Sequence, residues 1–180
     1  MATFQGQPEN RNFLSPAGFQ FVLEKDRNVD FFCTKANVPD LTLGTANQGT
    51  YNKIIDVPGD IIQFGDLTVE FLVDEDLKNY LAIHDWIRGL GFPNSPQDFK
   101  NLITDDSGQK DLKYQFSDAT ILILNSSNNI NFQVQFRDAY PYSLTGLDFD
   151  AGIDGEEFFT ATASFKYTIY NILDKNGRPL

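Results

Sequence analysis

From Phe19 onward, apolar and polar residues alternate with a period of two. Phe19, Phe21 and Leu23 are interleaved with Gln20, Val22 and Glu24. After the polar Lys25-Asp26-Arg27-Asn28, the apolar series resumes at Val29, Phe31 and Cys33. In an extended chain that period sends one set of side chains to one face, so the pattern predicts a hairpin with one buried face, ended by Pro39. Gly44 to Thr50 and Pro58-Gly59-Asp60 are rich in turn formers and bracket Tyr51 to Val57, which predicts a projecting loop or hairpin. Leu67, Val69, Phe71 and Val73, alternating with Thr68 and Glu70, predict the next strand.

The period then changes. Leu77, Tyr80, Leu81, His84 and Ile87 fall at helical spacing, widened by Ile83, Trp86 and Leu90. These predict one helix over about residues 75–90, capped by Asp74 or Asp76 and stopped by Gly89 or Gly91 before Pro93. Residues 93–111, rich in Pro, Asn, Asp and Gly, read as a connecting loop. The second half returns to strands. Ala119–Leu124 is an apolar run, Ser126–Asn129 a turn, and Ile130, Phe132, Val134 and Phe136 alternate with Asn131, Gln133, Gln135 and Arg137. Beyond an acidic loop at 148–157, Phe159, Ala161, Ala163, Phe165, Tyr167 and Ile169 share one face. Thr160, Thr162, Ser164, Lys166 and Thr168 share the other. A strand of that length is expected to cross a barrel or to continue a sheet between subunits. Residues 1–16 are polar and read as an N-terminal arm. Residues 17–180 read as one domain, mainly β, a barrel or sandwich with a single flanking helix.

Composition sharpens this picture and removes several functions. The 180 residues include 17 Phe and 7 Tyr against one Trp, a bias that suits pleated surfaces. The net charge of -11 argues against nucleic-acid binding, which needs clustered cations. One Cys and one His exclude an internal disulfide and a structural zinc site. The first residues lack a basic and an apolar region, so no secretory signal is expected and assembly in a reducing cytoplasm is. No window approaches the roughly 18 apolar residues of a membrane span.

Candidate chemistry is thin. His84 lies on the helix stripe, where a half-buried packing role is expected, and no elbow serine accompanies it. Cys33, mid-strand on the apolar face, reads as a small hydrophobe. The acidic pairs at Asp74-Glu75-Asp76, Asp105-Asp106 and Glu156-Glu157 read as solvated rather than as a glycosidase couple. Asp148 to Gly155 looks like a calcium loop, yet Ile153 and Phe159 stand where that loop needs Gly and Glu. Gly89-Leu90-Gly91 ends a helix instead of opening one, so it is no phosphate loop. Asn125-Ser126-Ser127 fits a glycosylation pattern that is idle without secretion. No enzyme activity, metal or cofactor is expected; function by assembly is.

Several strings together carry a family resemblance. Phe32-Cys33-Thr34-Lys35-Ala36-Asn37-Val38-Pro39 precedes Asn52-Lys53-Ile54-Ile55-Asp56-Val57-Pro58-Gly59-Asp60. Phe64-Gly65-Asp66-Leu67-Thr68-Val69-Glu70-Phe71 follows, then a helix containing Trp86, and Ala163 to Tyr170 closes the series. This order, over roughly residues 19–90, resembles the tail tube proteins of contractile-tailed, T4-like bacteriophages, which share a fold with the hemolysin-coregulated protein of type VI secretion. Residues 93–118 are the main departure and leave open a baseplate or tail-completion protein of the same fold. The resemblance implies six-membered rings stacked into a tube inside a sheath, with sheath and baseplate proteins as partners, in a virion assembled in the host cytoplasm. It maps a ring-stacking loop onto Gly44–Gly59, with Asn47, Gln48, Tyr51, Asn52, Lys53 and Ile54 as contact residues. The polar faces Asn131, Gln133, Gln135 and Thr160, Thr162, Ser164 are candidate lumen positions, a lining past which DNA slides without specific binding; they fit an ordinary barrel exterior equally well. The competing reading from another class is a carbohydrate-binding sandwich that uses surface aromatics and acids.

Overall fold

A computed structural model describes residues 13–25, 29–30, 32–49, 51–93, 95–104, 110–150 and 158–180. Much of the N-terminal arm, the Asp105-Asp106 and Glu156-Glu157 pairs, and Ala151 to Gly155 of the calcium-like stretch lie outside the described residues. The described residues form nine strands: β1 (Phe19–Leu23), β2 (Cys33–Ala36), β3 (Leu41–Gly49), β4 (Ile54–Phe64), β5 (Leu67–Leu72), β6 (Ser117–Leu124), β7 (Ile130–Leu144), β8 (Thr160–Lys166) and β9 (Ile169–Asp174). Two α-helices, α1 (Lys78–Gly91) and α2 (Pro96–Leu102), and a 3-10 turn (Leu112–Gln115) lie between β5 and β6.

Seven strands form one antiparallel sheet in the order β1-β6-β7-β8-β5-β2, with β9 also paired to β7. The hinge of this sheet is β7, fifteen residues long. Its first part, Phe132–Arg137, lies between β6 and β9, and its second part, Tyr140–Leu144, pairs with β8. The change occurs at Asp138, whose φ is 54° and whose amide donates to Asp118 Oδ1 at 3.2 Å. A left-handed residue at a register shift lets one strand serve two halves of a curled sheet.

β8 and β9 turn the same corner. The single long strand expected over Phe159–Ile169 is instead two, broken at Tyr167-Thr168, where the Thr168 amide donates to the Arg137 carbonyl at 3.0 Å. Ala161, Ala163 and Phe165 are buried as the alternation predicts, but Phe159 and Ile169 at its two ends are exposed, and beyond the break Tyr170 packs against the core in place of Ile169. That core holds Phe21, Leu23, Ile121, Val134 and Phe136 from one half and Leu67, Val69, Phe71 and Phe165 from the other.

The expected β1–β2 hairpin is also corrected. β1 pairs with β6 and β2 with β5, so the outer strands do not pair and the barrel is not closed. The reason is local: the Leu23 amide donates to the carboxylate of Asp30, and Val29 is buried in the core. The sheet is an open, curled sandwich, and α1 covers the core between its halves.

α1 begins three residues later than expected and buries a different stripe. Asn79, Ile83, Trp86 and Gly89 face inward, whereas Leu81 is exposed. Neither Asp74 nor Asp76 is the N-cap: Leu77 is, at φ 57° and with no side-chain cap bond, although Asp74 Oδ1 reaches the Lys78 amide at 2.7 Å. Neither Gly89 nor Gly91 ends the helix. Phe92 does, at φ 33° with its amide on the Arg88 carbonyl at 2.7 Å, while Gly89 is a contact point where a Cβ would lie 3.1 Å from Leu102 of α2. The expected loop at 93–111 contains α2, started by Ser95, whose hydroxyl accepts from the Gln97 amide at 3.1 Å, and by Pro96 in the first turn. No helix among the described residues is long and apolar enough to cross a membrane.

Candidate assembly interface

β3 and β4 form a separate two-stranded sheet that leaves the body of the protein. Its register runs from Leu41 opposite Phe64 to Gly49 opposite Ile54, and brings Asn47 against Asp56 and Gln48 against Ile55. Asn47, Gln48, Tyr51, Asn52, Lys53 and Ile54, the candidate contact residues, are therefore together at its tip, all exposed. Tyr51 is 100% exposed and Ile54 65%. Farther down, Leu41, Leu43, Ile61 and Ile62 are exposed as well. A hairpin that buries neither face is marginal in water by itself, and two open edges with aliphatic side chains seek a partner. Nothing in the sequence pattern gave the strand lengths of nine and eleven residues, because neither strand has a core face to impose alternation.

The hairpin is nevertheless held firmly at its root. Phe64 meets the rings of Tyr167 and Tyr170 edge-on at centroid distances of 6.2 and 5.5 Å, and Phe136 lies behind both. Tyr167 OH donates to the Gly65 carbonyl at 2.8 Å, and burial pushes its phenol up to about 12. Asn37 clamps the entry by donating to the Asp66 carbonyl at 3.0 Å and accepting from the Thr68 amide at 2.6 Å. Asp66 itself takes the Tyr142 hydroxyl at 2.6 Å and the Lys166 ammonium, and those two donors hold its carboxyl below the usual carboxylate range. Midway along the hairpin a register shift brings Gly44 against Gly59. A Cβ at Gly59 would lie 2.6 Å from the Gly44 carbonyl oxygen, so the close approach requires glycine there.

The candidate lumen residues lie on outward faces, but not on one face. Asn131, Gln133 and Gln135 belong to the first part of β7, on the half-sheet with β6 and β9. Thr160, Thr162 and Ser164 belong to β8, beside Leu72, Glu70 and Thr68 of β5 on the other half. The corner at Asp138 separates the two sets. Ser164 also lies opposite Ser143, and the Thr162 amide donates to Thr145 Oγ1 at 2.8 Å.

The remaining candidates have structural surroundings. His84 is half-buried at the edge of α1, its Nδ1 3.2 Å from Asp85 and its ring stacked on Tyr80. Cys33 is packed against the core, and burial pushes its thiol up to about 11. Asp76 pairs with Lys78 at 2.5 Å. Among the described residues no group of three His, Cys, Asp or Glu is placed to hold a metal ion.

One feature of the surface was not legible in the chain. Where β2 begins and β5 ends, Phe32, Leu72 and Leu77 meet Phe149 and Phe158 around a groove of about 590 Å3 edged by Asp74 and Glu75. The hairpin departs from the other end of the same strands, beyond Ala36 of β2 and before Leu67 of β5. Hairpin and groove thus sit at opposite ends of one half-sheet, about 20 Å apart for a six-residue strand.

Comparison with known proteins places this arrangement. A family model described as phage tail tube protein matches residues 5–173. The tail tube terminator protein of Enterobacteria phage T4 is 25% identical over 122 residues, which span 67% of this chain and 62% of that protein, less than two thirds of its length. The tube-terminating cap of the anti-feeding prophage superimposes with a TM-score of 0.65 at 18% identity, over 97% of this chain and 99% of that one. A chain of the sheath–tube complex of the PVC extracellular contractile injection system gives 0.61 at 17% identity, over 91% and 93%. At these identities the structural likeness is one of fold.

Proposed function

The chain belongs to the phage tail tube protein family, and on that premise we propose that it is a structural, non-catalytic subunit of a contractile phage tail. Six copies form a ring, and rings stack through the β3–β4 hairpin into a hollow conduit for the genome. The observation that carries this reading is the hairpin itself: rooted by stacked rings, exposed along its length, and presenting Tyr51 and Ile54 bare near its tip. Such an element costs stability in an isolated molecule and makes sense once a neighbour covers it. In this reading the partners are further copies of the chain, the sheath and the baseplate, and the protein resides in the virion after assembly in the host cytoplasm. The charge of -11 per copy gives an assembled ring a strongly negative field, which repels phosphate if carried to the lumen. The outward faces of β7 and β8, carrying Gln133, Gln135, Thr162 and Ser164, supply uncharged candidates for that lining.

A second reading, that the subunit ends the tube instead of building its length, is favoured by the similarity to the T4 terminator protein. The two differ in what purified protein does. A tube-building subunit extends with concentration, whereas a terminator stops at a single ring or a pair of rings. Sedimentation velocity of the full chain and of a variant lacking residues 45–56 tests the common claim. The full chain is expected to sediment as rings or larger species. The deletion is expected to keep its circular dichroism spectrum and melting profile but to lose every species larger than one ring. Unfolding on deletion would make the hairpin part of the core and overturn the reading.

A further inference from the structure

The groove at the far end of the half-sheet from the hairpin has the shape and charge of a receptor. Its walls are aromatic and aliphatic, with Phe158 77% and Phe149 76% exposed, and its rim carries the carboxylates of Asp74 and Glu75. No cation lines it. The one cation of the hairpin tip is Lys53, flanked by the exposed Tyr51 and Ile54, with the exposed Asp56 three residues further on opposite Asn47. Two exposed apolar side chains on either side of a lysine therefore stand on the hairpin that leaves one end of β2 and β5, and an apolar cleft with a negative rim lies at the other.

We propose that this groove receives the hairpin tip of a second copy of the chain. Tyr51 and Ile54 of one copy enter between Phe149 and Phe158 of the next, and Lys53 meets Asp74 and Glu75. The inference rests on the stacking reading above and deepens it by naming the surface that the hairpin meets. Such a contact joins two different patches, head to tail, so it does not close on itself and propagates along an axis. Each contact is small, but a ring presents several at once, and simultaneous engagement multiplies weak affinities. The acidic rim also disfavours the reversed contact, because groove against groove brings like charges together.

The test uses full-length protein in a Cys33→Ala background, so that introduced thiols are the only ones. Tyr51→Cys and Phe158→Cys variants are mixed under mild oxidation and compared with each variant alone. A disulfide-linked dimer that forms in the mixture well beyond either self-reaction is the expected result. In parallel, Lys53→Glu is expected to raise the concentration needed for stacking about tenfold, and Glu75→Lys in the same chain to restore it. If wild-type rings stack while the mixture gives no excess dimer and Phe158→Ser leaves stacking unchanged, the groove is not the receptor and the stacking reading stands. If wild-type protein shows no association beyond one ring at any concentration, the stacking reading falls and this inference with it.

Discussion

The side-chain amide of Asn79 donates to the main-chain carbonyl of Leu72 at 2.7 Å, and this bond ties the first turn of α1 to the last residue of β5. Asn79 is 0% exposed, and its Oδ1 accepts from the Tyr80 amide at 2.8 Å and, at 3.3 Å, from the Asp74 amide. One polar side chain thereby satisfies three main-chain groups at a junction where helix and sheet geometries otherwise leave them open. Asn79→Leu keeps the branched shape, with somewhat greater bulk, and removes all three hydrogen bonds. It is expected to cost about 2–4 kcal/mol, because each buried group left unpaired costs about 1–3 kcal/mol and water reaches some of them. Urea unfolding gives the value, and a change below about 0.5 kcal/mol would mean that the junction does not depend on Asn79.

Trp86 is the side chain by which α1 enters the core. It is buried against Phe165, with centroids 6.3 Å apart, and its indole N–H donates to the Gln115 carbonyl at 2.9 Å. Trp86→Ala is expected to destabilise by about 3–5 kcal/mol, the usual range for emptying a large aromatic site. Trp86→Phe should cost less and leave the Gln115 carbonyl without its donor. Near-equal losses for the two variants, by chemical denaturation, would assign the effect to the hydrogen bond instead of the ring.

Gly59 allows the hairpin to bend without affecting the body. A Cβ there meets main chain at 2.6 Å, which cannot move aside as a flexible side chain would. Gly59→Val is expected to leave the melting temperature of the body within a few degrees and to abolish ring stacking. Differential scanning calorimetry and sedimentation of the same sample separate the two effects.

Lys25 makes stability depend on alkaline pH. Burial lowers its ammonium to about 8, with Nζ 4.4 Å from the Trp86 ring centroid and donating to the Tyr114 carbonyl at 2.5 Å. Between about 8 and the ordinary value of 10.5 the unfolded chain holds a proton that the folded chain has lost, so this group makes stability rise with pH across that window. Cys33 and Tyr167 act in the opposite sense. Their folded values of about 11 and about 12 lie above the ordinary ones, so the stability they contribute is full below 9 and 10 respectively and is lost as pH rises through the folded values. Lys25→Met should remove the rising component alone. Urea midpoints measured from pH 7.5 to 10 for both proteins are expected to diverge at the low end and converge at the high end; parallel curves would contradict the assignment.

Strand positions were legible wherever one face is buried. Phe21 and Leu23, Val69 and Phe71, and Val134 and Phe136 sit where alternation puts them, because a period of two leaves no other arrangement. Pairing was less legible. β1 and β2 read as a hairpin from proximity in the chain, but the Asp30 carboxylate takes the edge amide of Leu23 that a hairpin would have used. The buried face of α1 was displaced in the reading because its first inward residue, Asn79, is polar, and a hydrophobic stripe cannot register a buried amide. α2 was hidden among loop-forming residues, although Ser95-Pro96 is a helix start in its own right. The groove was invisible for a different reason: Phe32, Leu72, Phe149 and Phe158 come from separate segments, and no spacing along the chain brings them together.

Negative-stain electron microscopy of the purified full chain over a range of concentrations tests the central claim most directly. The account predicts hollow rings of uniform diameter with sixfold symmetry, joined end to end as concentration rises. Dispersed solid particles of monomer size at every concentration would contradict it.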